Sequence, residues 1–432
     1  MLSSETLQVH SQDCTKATIP FTSYDAGWVV MCIGSAIGSG IVFMPLQMSA
    51  KGVLASSLAL LIMYPAVYWL TKLYIRSLSE TPECKDYASI ITQYLGKNWG
   101  TALSLIYFFT ILKAMLGYSA TVTHDSATYL KHFGLTDLDL SQTRWYPLIL
   151  LTALVFVASR GERLLFKVSG PFIVLKLLAI LTLGALLIPQ WNLSNLDLGV
   201  QGGIIDLARD IIVSLPFALF SIVFIAVLNP MNVAFRKIET DPAIATYRSL
   251  RASRLAYWIL AGAVLFFAFS FIFSITPEQA RAGMGQNTSA LALLTQIIPG
   301  PTLAILSVLL SVSAVMTSFF AVYLGFNDAL SGIIMNIALR LNTRTELIEK
   351  LIPNTVKLIA IGLLWCWVVA NINTMSLLQW TIGTFALVSC LIPCYLTYRV
   401  PSLHKYKSAN VIYVALAGGI LFISPLFKLL EH

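Results

Sequence analysis

Charge is what this 432-residue sequence has least of. Asp, Glu, Lys and Arg make up 11% of it, against about 25% in ordinary soluble domains. With 57% hydrophobic residues and a mean hydropathy of +0.79, this scarcity excludes a soluble globular protein and indicates a polytopic membrane protein. The net charge of +8 does not predict a nucleic-acid partner, because basic residues of membrane proteins collect in cytoplasmic loops. We therefore expect membrane lipids, and no nucleic acid, around the chain.

The sequence also lacks the patterns of a metal site or a catalytic centre. Its six cysteines show no zinc-binding spacing, so we expect free thiols and no metal. The motifs H-E-x-x-H and G-x-S-x-G are absent, and the histidines lie in loops or at segment ends. These absences argue against a membrane-embedded enzyme and predict that the protein needs no cofactor.

Apolar runs of about 20 residues predict eleven transmembrane helices. They cover 27–47, 52–75, 99–126, 145–160, 165–189, 208–234, 253–276, 301–326, 355–372, 376–398 and 409–428. Residues 1–24 are polar and are expected to form a cytoplasmic tail. With that orientation, twenty of the 28 lysines and arginines fall on the cytoplasmic side and six outside, as the positive-inside rule requires. The C-terminus is then periplasmic.

Three glycines interrupt the first apolar segment, in the stretch Gly34-Ser-Ala-Ile-Gly-Ser-Gly40. Each costs a helix about 1 kcal/mol relative to alanine. Small residues at this spacing can let two membrane helices pack closely. Alternatively, the helix unwinds here and exposes backbone N–H and C=O groups to a ligand.

The sixth segment carries a second set of interruptions. They are Ser214-Leu-Pro216, Phe220-Ser221 and Asn229-Pro230. Paired interruptions, five segments apart, are typical of an inverted repeat with its binding site between the halves. They favour the broken-helix interpretation of the glycine-rich stretch.

Six motifs along the chain form a recognisable set. They are Gly34-Ser-Ala-Ile-Gly-Ser-Gly-Ile-Val-Phe-Met-Pro45, Glu83-Cys-Lys-Asp-Tyr87, Tyr94-Leu-Gly-Lys-Asn-Trp-Gly100, Ser159-Arg-Gly-Glu162, Thr317-Ser-Phe-Phe320 and Pro401-Ser-Leu-His-Lys-Tyr-Lys407. Together they resemble the motifs of the hydroxy/aromatic amino acid permease family, and within it the serine/threonine branch found in enterobacterial inner membranes. The resemblance implies an all-α, LeuT-like five-plus-five fold. Its repeats would span 25–190 and 206–398, followed by an inner loop and an eleventh helix in 399–432.

The resemblance further implies a monomeric secondary transporter in the bacterial inner membrane. Its substrate would be a small hydroxy amino acid: serine, with threonine and D-serine as further candidates. We expect proton symport with alternating access. The alternative is a sodium-coupled or exchange transporter of another amino acid, aromatic or acidic. A channel would need pore-lining rings of one chemistry, and paired broken helices fit a carrier better.

The substrate is a zwitterion, so its carboxylate needs donors and its ammonium needs acceptors. We expect the backbone of Ile37, Gly38, Ser39 and Gly40 to bind the carboxylate, because a half-helix N-terminus offers unpaired N–H groups. Carbonyls near Ser35 and Ala36, and near Phe220 and Ser221, would face the ammonium. Small residues such as Gly34 are needed because a side chain would occupy the ligand's space. A substrate hydroxyl would need a partner from Ser35, Ser39, Ser221, Tyr107 or Tyr118. Serines in membrane helices also commonly bond to their own helix backbone.

Lys176 lies in the middle of the fifth segment, where a lysine charge costs several kcal/mol. It is a candidate proton carrier, or a fixed cation in place of sodium; the alternative is that its side chain extends to the membrane surface. If sodium is the coupling ion instead, the resemblance implies Thr317 and Ser318 as its ligands. These hydroxyls could equally serve helix packing.

Three further charged residues stand out. Lys113 lies inside the third segment, where it would face substrate or pair with a carboxylate, and it departs from the family pattern. Asp328 closes the eighth segment; it is a candidate gate of the inward path through pairing with a basic loop residue, and the alternative is a solvated surface position. For Asp25, just before the first segment, the sequence favours a solvated surface position.

Overall fold

The computed structural model describes residues 19–81, 86–132, 134–138, 140–195, 203–285, 290, 293–294, 301–340, 345–371 and 382–429. Within these ranges the regular secondary structure is helical throughout, with no β-strand. The first eighteen residues and the beginning of the predicted tenth segment lie outside the described residues.

The helices follow one another in an order that matches the predicted segments. The first half contains α1 (Ser23–Ala36), α2 (Ser39–Lys51), α3 (Val53–Ser79), α4 (Tyr87–Leu95), α5 (Lys97–His132), α6 (Trp145–Ala158) and α7 (Glu162–Leu187). The second half contains α8 (Ile204–Ile222), α9 (Ile225–Ile238), α10 (Pro242–Ser274), α11 (Pro277–Gly285), α12 (Pro301–Arg340), α13 (Thr345–Val369), α14 (Ile382–Arg399) and α15 (Ala409–Leu429).

Nine helical stretches in the described part of the chain are long and apolar enough to cross a membrane. The helix α6 is apolar but shorter, and the first predicted segment is divided between α1 and α2. Every predicted segment therefore overlaps a helix or a pair of half-helices.

The first and sixth predicted segments are both broken, as the sequence indicated. The first break consists of Ile37 and Gly38, inside the glycine-rich stretch. The prediction for the sixth segment was wrong in detail, because α8 and α9 continue through Pro216 and Pro230 and the chain breaks at Val223 and Phe224. Neighbouring membrane helices can compensate for the bond that a proline removes. The β-branched and aromatic run at the actual break favours extended backbone.

The two breaks lie together at the centre of the bundle. Helix α2 packs against α8, and α1 packs against α9, so the broken segments run side by side. Helices α7 and α12 both pack against α1. At Gly325 of α12, an added Cβ would lie 2.7 Å from the carbonyl oxygen of Ala226, so only glycine lets α12 approach the start of α9 this closely.

Candidate substrate and coupling site

The break between α1 and α2 leaves backbone groups outside the helical hydrogen-bond pattern. The N–H of Ile37 still donates to the carbonyl of Ile33 (3.0 Å), and the N–H of Gly38 turns back to the carbonyl of Ala36 (2.9 Å). Gly38 offers no side chain to cap α2. The first N–H groups of α2 therefore present the positive end of a helix dipole at the break.

The second break has the same character. Val223 is extended (φ −87°, ψ 139°), Phe224 precedes α9, and no side chain caps that helix. Two uncapped helix N-termini and two helix C-termini thus lie in adjacent segments. This arrangement offers both donors and acceptors to a zwitterionic ligand.

Lys176 of α7 reaches the first break with its ammonium group. The side chain is fully buried. Its Nζ donates to the carbonyl oxygens of Gly34 and Ile37 (3.0 Å each) and to Oγ1 of Thr317 (2.6 Å). An ammonium has three donors, so all three are satisfied, and the alternative that Lys176 extends to the membrane surface is wrong.

Ser318 of α12 donates to the same two carbonyls as the lysine. Its Oγ lies 3.1 Å from the oxygen of Gly34 and 3.4 Å from that of Ile37. We call Lys176, Thr317, Ser318 and these two carbonyls the Lys176 site. The residues that the sequence assigned to proton coupling and to sodium coupling therefore meet at one point. A sodium ion at this point would need the same oxygen atoms that the ammonium holds.

Tyr118 of α5 also reaches the first break. A Cβ added at Gly38 would lie 2.4 Å from the Tyr118 hydroxyl oxygen and 2.8 Å from Ser318 Oγ. A Cβ at Gly34 would lie 2.7 Å from Cδ1 of Ile173 on α7. Both glycines are therefore required by the close approach of neighbouring helices.

Other predicted substrate residues lie farther from the first break or already have partners. Tyr107 stacks on Tyr87 (centroids 4.1 Å apart, 24° between planes), and it lies about 16 Å along α5 from Tyr118. Ser221 Oγ lies 3.2 Å from the Tyr64 hydroxyl and donates to the carbonyl of Ala218 (2.8 Å).

The remaining predicted substrate residues have diverse surroundings. Phe220 packs edge-on against Phe385, beside a π-turn in α14 at Leu387–Leu391. Lys113 is partly buried and forms no ion pair with a described residue. Ser35 is partly buried one residue before α1 ends. The side chain of Ser39 lies outside the described residues, and Gly40 contributes backbone only.

Within the part of the chain that the structure describes, Asp328 forms no ion pair with a basic side chain, so the expected pairing with a loop residue is not found there. The carboxylate is partly buried and accepts a hydrogen bond from Nδ2 of Asn229 (2.9 Å). The bond joins α12 to α9. The carboxylate also accepts a hydrogen bond from the backbone of Tyr87, at the start of α4.

Asp25 is fully buried, which corrects the expectation of a solvated position. It accepts hydrogen bonds from Nη2 of Arg248 (2.5 Å) and Nη2 of Arg251 (3.1 Å), and Arg248 also pairs with Glu239. The capping box formed by Thr22 and Asp25 was the sequence signal for this position. We call Asp25, Arg248, Arg251 and Glu239 the Asp25 cluster; it fixes the start of α1 to α10.

Comparison with known proteins identifies the family. The family described as "Transmembrane amino acid transporter protein" matches residues 26–174. A "Probable serine transporter" of Escherichia coli (strain K12) is 42% identical over 413 residues, which cover 95% of this chain and 93% of the relative. The chain belongs to this amino acid transporter family. A second relative, the "Serine transporter SdaC" of the same strain, is 26% identical over 439 residues, 99% of each chain.

The fold class agrees with this assignment. The crystal structure of MhsT in complex with L-phenylalanine aligns with a TM-score of 0.50 at 13% identity, covering 94% of this chain and 98% of that one. The predicted LeuT-like, all-helical fold is thereby confirmed. The transporter is a multi-pass protein of the bacterial inner membrane, and its relatives support transport rather than enzymatic catalysis.

Replacing Asp25 tests how strongly its cluster holds α1. Asp25→Asn leaves the Arg248 guanidinium buried with one carboxylate fewer, and we expect a loss of roughly 3 kcal/mol or more in stability. The matched control is Asp206→Asn. It removes an ion pair with Arg209 that is about one-third exposed, so this substitution should change stability by about 1 kcal/mol at most. Thermal unfolding in detergent measures both variants. Equal melting temperatures would contradict this role for the Asp25 cluster.

Proposed function

We propose that the transporter imports serine by proton symport, with alternating access around the two helix breaks. The observation that carries the proposal is the Lys176 ammonium bonded to the carbonyls of the first break. The substrate assignment rests on the two relatives that are named serine transporters. Serine transport with protons as the coupling ion requires no further cofactor.

The serine zwitterion would bind between the half-helices. Its carboxylate would accept from the backbone N–H groups of Ser39 and Gly40, at the positive end of α2. The expected N–H groups of Ile37 and Gly38 are not available, because they already donate to the carbonyls of Ile33 and Ala36. Its ammonium would donate to carbonyls where α1 and α8 end. Tyr118, whose hydroxyl reaches Gly38, is our candidate partner for the serine hydroxyl.

The lysine would connect protonation to the position of α1. A protonated Lys176 donates to two carbonyls of the first break and to α12, so it holds α1 against α7 and α12. Loss of the proton removes the charge and one donor, which weakens that attachment. An inward swing of the segments formed by α1, α2, α8 and α9 would then depend on the protonation state of one residue.

Sodium coupling is the second candidate, because Thr317 and Ser318 supply hydroxyl oxygens beside two backbone carbonyls. The ammonium opposes it, since a second cation at the same oxygens would be repelled. The alternative of an acidic substrate depends on Lys113, which forms no ion pair with a described residue.

Lys176→Ala provides the direct test of coupling. In proteoliposomes, we expect a proton gradient alone to drive serine accumulation by the unsubstituted transporter. Lys176→Ala should abolish accumulation yet retain part of serine exchange, because the substrate backbone sites remain. The matched control is Lys167→Ala, which removes an exposed cation from the same helix and should accumulate serine normally.

The outcomes separate the alternatives. Normal accumulation by Lys176→Ala would contradict the coupling role. Accumulation driven by sodium alone would assign coupling to Thr317 and Ser318. No serine uptake under either gradient would discard serine as substrate, and competition by aspartate or glutamate would then support the acidic alternative.

Gly38→Ala tests the position of the substrate site. The added methyl group would enter the space of the Tyr118 hydroxyl and of Ser318 Oγ, so we expect serine uptake to fall at least ~100-fold, as misplacement by about 1 Å can cause. The control is Gly362→Ala, where an added Cβ has no neighbour within 4 Å. Unchanged uptake by Gly38→Ala would place the substrate elsewhere.

A further inference from the structure

A recess lies between α3 and α10, away from both helix breaks. It is a half-open groove of about 280 Å³, a volume that includes space open to the surroundings. Three residues of α3 and four of α10 line it: Tyr68, Thr71, Lys72, Leu250, Ser253, Arg254 and Tyr257. The proposed transport cycle uses none of these side chains.

The recess is positively charged, and no described carboxylate neutralises it. Lys72 and Arg254 face it from opposite helices. Among the residues that the structure describes, no carboxylate forms an ion pair with either of them, in contrast to Arg248, which pairs with Asp25. Two unneutralised cations on one recess attract an anion.

The depth of the two cations places them at the edge of the hydrocarbon layer. From Arg254 to the end of α10 at Ser274, the helix rises about 30 Å, which is the thickness of the bilayer core. From Val53 to Lys72, α3 rises about 28 Å. Both cations therefore lie at one membrane interface, at the end of the bundle where α1 begins, which the positive-inside distribution assigns to the cytoplasm.

A cluster of aromatic rings lies one helical turn deeper in the bilayer than Lys72 and Arg254. Tyr68 packs against Trp69, Tyr257 and Trp258, with ring centroids 5.2, 5.2 and 6.2 Å away. Trp258 is 63% exposed on the outer face of α10. Tyrosine and tryptophan are enriched at the headgroup level of membranes, and the exposed indole offers an apolar surface to an acyl chain.

We propose that this recess binds the phosphate group of an anionic phospholipid from the cytoplasmic leaflet. The Arg254 guanidinium supplies a fork of donors to two phosphate oxygens. The Lys72 ammonium supplies a second charge from the opposite helix, and the acyl chains lie along the exposed face near Trp258. Basic pockets between membrane helices at this level are suited to such headgroups. The bound lipid bridges α3 and α10.

Native mass spectrometry of the full-length transporter, titrated with phosphatidylglycerol or phosphatidylcholine, tests the site. We expect tighter binding of phosphatidylglycerol. The double variant Lys72→Gln/Arg254→Gln should bind it roughly 30-fold more weakly, about fivefold for each charge, and each single variant should be intermediate. The control Arg160→Gln/Lys167→Gln removes two exposed cations from the same end of the bundle and should bind like the unsubstituted protein.

Three results would overturn the proposal. One is equal binding of the two lipids by the unsubstituted transporter, and another is equal loss of phosphatidylglycerol in both double variants. The third is displacement of the lipid by millimolar inorganic phosphate, which would assign the recess to a soluble anion. Melting temperatures measured in phosphatidylcholine verify that the variants are folded, so that weaker binding reports on the site itself.

Discussion

The hydrogen bonds between the Lys176 ammonium and the first helix break are the interaction on which the structure depends. A lysine charge at the bilayer centre costs at least several kcal/mol unless acceptors surround it. A broken helix in the same place leaves carbonyls that hydrocarbon cannot satisfy. Each feature compensates the other, because the ammonium donates to Gly34 and Ile37. Helices α7 and α12 must then lie against α1, which explains why glycine stands at Gly34 and Gly38.

Helix α1 is held by charge at both of its ends. The Asp25 cluster fixes its first turn to α10, and Lys176 holds its last turn to α7 and α12. The fourteen residues between these ends form a rod about 21 Å long. In the proposed cycle, opening toward the cytoplasm requires both attachments to loosen. The Asp25 cluster at the first turn is a network of permanent charges. The attachment at Lys176 is therefore the one that a single proton can switch.

The sequence predicted the fold well because apolar length and glycine spacing are local signals. It identified the break at Gly34–Gly40 and marked Lys176, Thr317 and Ser318 separately. It did not show that these three residues meet, since no periodicity relates α1, α7 and α12. The second break was misplaced because proline is a weak marker in membrane helices, where neighbours supply the missing bonds. Asp25 was missed because its burial depends on Arg248, more than two hundred residues away.

The most direct test of the account is serine-driven proton entry into sodium-free proteoliposomes loaded with a pH-sensitive dye. Adding serine outside should acidify the interior of liposomes that contain the unsubstituted transporter. Lys176→Gln, which keeps a polar side chain but cannot carry a charge, should give no acidification while still exchanging serine. Acidification by Lys176→Gln equal to that of the unsubstituted protein would contradict the claim that the ammonium at the helix break carries the coupled proton.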